Sequence, residues 1–175
     1  MLTVKVVNDP DPENPRDWDN LGTMVCWHKR YNLGDHHDID DDKLWSWDAI
    51  ENHLRKRYKA HVILPLYLYD HSGITIRTTP FSCKWDSGQV GFIYATKEKI
   101  RKYYEWKKIT IGRQEIIRQH LIREVNIYDA YLTGEVYGFE IIDEETEEVV
   151  DSCYGYYSNK DAKESGEEAL CELQS

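Results

Sequence analysis

The segment Tyr67–Tyr94, YLYDHSGITIRTTPFSCKWDSGQVGFIY, constrains the fold more than any other part of the chain. It reads as three β-strands joined by two polar connections, Asp70-His71-Ser72-Gly73 and Cys83 to Gly88. Gly73, Gly88 and Gly91 suit the turns and the close backbone approach such a unit requires. Its residues alternate or run apolar over strand lengths, so the chain is expected to be built on a sheet.

Elements on either side complete an α+β expectation. Leu2 to Val7 alternates as a first strand, with Leu2, Val4 and Val6 on one face, and Thr23 to Trp27 is a short second strand. Between them, residues 8–22 hold three prolines and five acidic residues and form a surface loop pinned by Trp18. Residues 31–42 form a second long surface loop. A helix from about Leu44 to Lys59 follows, capped by Asp41 or Asp42, with Leu44, Trp47, Ile50, Leu54 and Tyr58 on one apolar face. Thr96 caps a basic helix from Lys97 to about Tyr104. A longer helix over Gly112 to Leu132 carries Ile117, Leu121, Val125, Tyr128 and Leu132, and Gly134 sits where a left-handed terminator belongs. Glu135–Ile142 and Val149–Tyr157 form a last hairpin around an acidic connection. Residues 161–175 form a final acidic helix with Ala162, Ala169, Leu170 and Leu173 facing inward. With no repeat and no linker, the expectation is one α+β domain over 1–175. It has a mostly antiparallel twisted sheet of about five to seven strands packed with about four helices.

Charge is unevenly distributed along the chain. Residues 1–48 carry 11 acidic and 5 basic side chains, residues 49–134 carry 8 and 15, and residues 135–175 carry 13 and 2. Acidic ends around a basic middle fit mutual neutralisation, an acidic face for a basic partner, or a basic middle for nucleic acid. The longest apolar run, Val62 to Tyr69, is strand-length and contains Pro65, so no membrane partner is expected. The N-terminus lacks the regions of a signal peptide. Cys26, Cys83, Cys153 and Cys171 are 57, 70 and 18 residues apart with no C-x-x-C pair, which predicts reduced, mostly buried thiols and a cytoplasmic location.

Candidate sites are few. Asp70, His71, Ser72, Cys83, Asp86 and Ser87 carry groups used in nucleophilic catalysis. They begin at opposite ends of one strand, so His71 and Cys83 meet only if the second connection folds back. The alternative is turn chemistry, with Asp70 and Asp86 forming Asx turns before Gly73 and Gly88. Asp38-Ile-Asp40-Asp41-Asp42 resembles the start of a calcium loop, but Lys43 and Ala49 occupy its glycine and bidentate positions. Asp35, His36, His37 and Asp38 are of types that ligate zinc or manganese, against capping and solvation as the plainer role. No cofactor is expected. Lys97, Lys99, Arg101, Lys102, Lys107 and Lys108 surround Tyr103, Tyr104 and Trp106, the one place where cations and aromatics interleave, and suit contact with phosphates.

Several runs together carry a resemblance: Trp18-Asp-Asn-Leu-Gly-Thr-Met24, Tyr31-Asn-Leu-Gly-Asp35, Tyr69-Asp-His-Ser-Gly73, Cys83-Lys-Trp-Asp-Ser-Gly-Gln-Val-Gly91 with Ile93-Tyr94, and Tyr131-Leu-Thr-Gly-Glu-Val-Tyr-Gly138. Over about residues 17–157 the chain resembles an uncharacterised family of small proteins encoded by phages, prophages and plasmids of bacteria and archaea. The resemblance implies the cytoplasm of an infected host, and brings no activity. It leads to the expectation of a non-enzymatic inhibitor of a host defence system, a CRISPR or restriction effector. Such an inhibitor would bind a basic protein surface through Asp38, Asp40, Asp41, Asp42, Glu144, Glu145, Glu147, Trp85 and Tyr156. The alternatives are a nucleic-acid-binding accessory protein using the basic 97–123 region and a small enzyme at the 70–73 and 83–89 connections. A homodimer is open.

Overall fold

The computed structural model describes residues 1–40 and 46–174. Among the described residues, seven antiparallel strands and four α-helices make an α+β fold. The strands lie in two sheets, ordered β1-β6-β7 and β2-β5-β3-β4, where a single sheet was expected. The division has a sequence cause: β1 (Leu2–Asn8) pairs with β6 (Tyr137–Asp143), from the far end of the chain, and not with its neighbour β2 (Thr23–Cys26). The chain accordingly divides into two compact units, Met1–Asp17 with Ala130–Ser175, and Trp18–Asp129.

In the discontinuous unit, β6 pairs with β1 on one side and with β7 (Glu148–Tyr156) on the other. Helix α4 (Asn159–Gln174) packs on this sheet through Ala162 and Gly166. A Cβ on Gly166 would lie 2.6 Å from Val4 Cγ1, so the helix sits as close as backbone allows. Docking at these small residues turns the end of α4 outward. Leu173, expected inside, is 49% exposed. β7 is the outer strand, and all its residues but Tyr156 are exposed.

In the continuous unit, β5 (Ser87–Thr96) lies between β2 and β3 (Ala60–Asp70), and β4 (Ile74–Arg77) forms the other edge. Ile50 and Leu54 of α1 (Trp47–Arg57) bury against Val25, Ile63, Phe92 and Tyr94, with Ile39 closing the cluster. Successive strand residues face opposite ways, so Ile93 lies on the other side of β5, where Leu121 of α3 (Ile111–Thr133) reaches it across Gly22. The sheet is thereby sandwiched between α1 and α3.

Local signals set the helix ends. Ser46 Oγ accepts from Ala49 N at 3.2 Å and starts α1 later than expected; Asp41, Asp42 and Leu44 lie outside the described residues. Thr96 Oγ1 accepts from Lys99 N and starts α2 (Lys97–Tyr104), as its position predicted. Gly134 follows α3 with φ +76°. In the loop before β2 the anchor is Leu21, fully buried, while Trp18 is 42% exposed. Segment 31–40 has no helix or strand, yet it buries Leu33 and Ile39 and bridges Gly34 to Val25. None of the four cysteines is in a disulfide, and only Cys26 is buried; Cys83 is half-buried, and Cys153 and Cys171 are exposed. No described helix is long and apolar enough to cross a membrane.

Candidate functional site

The two polar connections do meet. β4 is only four residues long, and the chain from Thr78 to Asp86 returns to the end of β3, where Tyr69 pairs with Ser87. Asp70 N donates to Asp86 O at 2.8 Å, which sets the two connections side by side. His71 Nδ1 lies 3.3 Å from Asp86 Oδ2, and the Cys83 thiol lies 4.0 Å from the same oxygen. The expected separation of His71 from Cys83 is therefore corrected, because the strand between them is too short to hold them apart.

The order of these groups decides their chemistry. Nucleophilic catalysis needs the imidazole between nucleophile and carboxylate, so that the base takes the thiol proton. Here the carboxylate is in the middle, and Ser87 Oγ is occupied in donating to the Cys83 carbonyl. His71 and Asp86 are both exposed to water. This arrangement fastens the corner and does not activate the thiol. Ser72 sits in the hairpin turn with φ +57° and Gly73 with φ +146°. Gly88 needs no such freedom, whereas a Cβ on Gly91 would overlap the Val25 carbonyl oxygen. Asp70 forms no Asx turn: it pairs with Arg30 and accepts from Tyr31 Oη at 3.3 Å. Residues 28–31 fold around His28, whose Nδ1 accepts from the backbone of Arg30 and Tyr31.

Beside this corner a groove of about 310 Å³ is lined by Trp27, His28, Arg30, Asp70, Asp86 and Trp85 among others, with Trp85 at 96% exposure. A larger cavity of about 640 Å³ shares Trp27 and His28 and adds Tyr31, Leu33, Trp47 and Ile50.

The proposed metal ligands scatter. Asp35 Oδ2 accepts from Met24 N at 2.8 Å, and His37 Nε2 lies 2.9 Å from the Cys26 carbonyl, so both hold the strap 31–40 against β2. Asp38 and His36 are exposed, and the described residues hold no group of three metal-ligating side chains. The acidic candidates separate as well. Glu144, Glu145 and Glu147 share the exposed β6–β7 turn, where Glu147 has φ +59°. Tyr156 is at the other end of β7, roughly 26 Å away at ~3.3 Å per residue, half-buried with its ring 6.0 Å from Phe139. Asp38, Asp40 and Trp85 belong to the continuous unit, and Asp41 and Asp42 lie outside the described residues. The cations Lys97, Arg101, Lys102, Lys107 and Lys108 are exposed and Lys99 half-buried, and among the described residues none of the six is in an ion pair. Trp106 stacks on Tyr104 at 4.3 Å, with the Arg113 guanidinium 4.6 Å from the Trp106 ring.

A buried polar chain was not anticipated. Glu124 accepts from Leu21 N at 2.8 Å and Gly22 N at 3.0 Å, and its Oε1 lies 3.3 Å from His120 Nε2. Tyr104 Oη lies 2.7 Å from His120 Nδ1. Burial lowers the pKa of His120 against the opposing pull of Glu124, and burial raises that of Tyr104. One signal was legible: Glu124 falls on the same face of α3 as Leu121 and Tyr128, three and four residues away, and a carboxylate on an apolar face needs a partner.

No protein-family model, no curated protein and no solved structure matches the chain.

Proposed function

We propose that the protein acts by binding, through the acidic surface of its discontinuous unit, to a basic surface of a nucleic-acid-processing protein. Charge also follows the structural division. The discontinuous unit holds 17 acidic against 4 basic side chains, net −13, while the continuous unit holds 15 against 18, net +3. This segregation carries the proposal. Glu144, Glu145 and Glu147 crowd one exposed turn, Glu148 and Asp151 lie along the exposed outer strand, and Glu164, Glu167, Glu168 and Glu172 occupy α4. Lys160 pairs with Glu164 and Lys163 with Glu167. Carboxylates concentrated in this way attract a basic channel that ordinarily holds phosphates. The resemblance to proteins of phages, prophages and plasmids makes a restriction or CRISPR effector of the host the partner class, and the host cytoplasm the setting.

The test is capture from host extract at ~50 and ~500 mM salt with the wild type and a Glu144→Lys/Glu145→Lys/Glu147→Lys variant. A basic nucleic-acid-processing protein retained by the wild type at low salt, released at high salt and missed by the variant is the expected result. Capture indifferent to both salt and charge reversal would remove the proposal.

A second function has its own support in the unpaired cations of α2 and residues 107–108 beside the Tyr104–Trp106 stack. We propose these as a nucleic-acid contact. Lys99→Glu/Arg101→Glu/Lys102→Glu should abolish retardation of single- or double-stranded DNA or RNA at ~150 mM salt. An unchanged gel shift would exclude it.

A further inference from the structure

A second polar cavity lies at the end of the four-stranded sheet where β3 begins. Three elements supply its walls. The last turns of α1 bring Arg55, β3 brings His61 with Val62 and Ile63, and α3 brings Gln114 and Arg118, one helical turn apart. The cavity measures about 300 Å³.

His61 reaches it because of an irregularity in the sheet. Ala60 pairs with Thr96 and Val62 with Ala95, which leaves His61 as an extra residue without a partner on β5. A bulge of this kind re-aims a side chain out of the regular alternation. Lys59, with φ +59°, turns the chain into it from α1. The price of this geometry is visible at the imidazole: its Nε2 is buried and has no hydrogen-bond partner in the protein. Buried polar atoms are almost always satisfied, and with its proton on Nε2 this imidazole asks for an acceptor.

The surroundings say what sort of acceptor. Arg55 and Arg118 line the cavity, and Lys97 and Arg101, one turn apart on α2, add their field. Together with burial, which is the largest cause, Lys97, Arg55 and Arg101 hold the His61 pKa below its ordinary value. Two carboxylates oppose these cations. Glu51 Oε1 takes Arg55 Nε and Nη2 at 2.9 and 2.7 Å, and Glu115 Oε2 lies 3.6 Å from Arg118 Nε. Each guanidinium has five N–H donors, so both retain free ones. The missing ligand is an acceptor-only, multiply charged group.

We propose that this cavity binds a phosphate group, with His61 Nε2–H and the Gln114 amide donating to its oxygens and Arg55 and Arg118 neutralising it. The cavity rests on neither function above, since it requires only the phosphate. That group is either inorganic phosphate or a phosphate carried by a nucleotide or nucleic acid.

The full chain, labelled with 15N, is titrated with inorganic phosphate, with adenosine 5′-monophosphate, and with a single-stranded oligonucleotide with and without a 5′-phosphate. The imidazole resonances of His61 are followed, and affinity is measured by calorimetry. A saturable shift of His61 with at least one phosphate, weakened about tenfold or more by Arg118→Glu and by His61→Phe at unchanged melting temperature, is the expected result. Saturation by inorganic phosphate alone identifies the free ion as sufficient. Saturation only by the nucleotide or the phosphorylated oligonucleotide identifies the ester. A His61 signal unmoved by every probe, or affinity unaltered in Arg118→Glu, overturns the proposal. Lys107→Glu/Lys108→Glu, outside the cavity, separates the two nucleic-acid outcomes: it weakens a gel shift but leaves the His61 titration intact.

Discussion

The Glu124 carboxylate lies 2.8 Å from the backbone N–H of Leu21, joining the middle of α3 to the loop that enters β2 across 103 residues of sequence. With Gly22 N–H bound as well, one buried carboxylate satisfies two buried backbone donors. Glu124→Ala leaves both donors stranded and should destabilise the protein by ~2–4 kcal/mol. Glu124→Gln keeps an acceptor and should cost about half as much. Urea denaturation of the two variants checks the difference.

His120 makes stability depend on pH. Its folded pKa is lowered, so as pH falls below its ordinary value near ~6.5 the unfolded chain takes up a proton that the native imidazole resists. The stability in question is present above that pH and declines below it, by at most ~1.4 kcal/mol per pH unit. Comparing urea midpoints at pH 7.5 and 5.5, the wild type should lose more than His120→Gln. Parallel losses would refute the assignment.

Two glycines four residues or fewer from the same corner should behave oppositely. A Cβ at Gly91 runs into the Val25 carbonyl, so Gly91→Ala must push β2 away from β5 and should cost about 3 kcal/mol or more. Gly88 has open space around it, and Gly88→Ala should stay within ~0.5 kcal/mol of wild type. Thermal melts of both distinguish a packing glycine from an incidental one.

Thiol accessibility follows the burial pattern. In the native protein an aromatic disulfide reagent should titrate Cys153 and Cys171 rapidly and Cys83 more slowly, with Cys26 reacting only after denaturation. Four equally fast thiols would contradict the placement of β2.

What could be read from the sequence was what neighbours in sequence decide. The start of α2 at Lys97 is written in Thr96 and the three residues after it, and the end of α3 in Gly134. The strands Leu2–Asn8 and Ser87–Thr96 show in their own apolar patterns. Pairing is a different matter: nothing local in Leu2–Asn8 says that its partner is Tyr137–Asp143, and so the second sheet stayed hidden. The corner failed for a similar reason. The length of β4 decides whether His71 and Cys83 meet; Pro80 marks a break in Thr78 to Asp86, but nothing there says that the strand stops at Arg77 and the chain turns back. His61 was passed over because a bulge is a relation between two strands and has no signature in one.

The exposed outer strand β7 carries an obligation apart from any partner. Its nine residues pair with β6 on one side only, and the outward-facing backbone groups, with Val149 and Val150 half uncovered, are a template onto which another chain could add itself. Glu148 and Asp151 on the strand, and the glutamates of the turn before it, act as gatekeepers: each incoming copy meets its own negative charge. Neutralise that charge, by acid or by replacing these carboxylates with their amides, and the strand loses its protection against stacking into fibres.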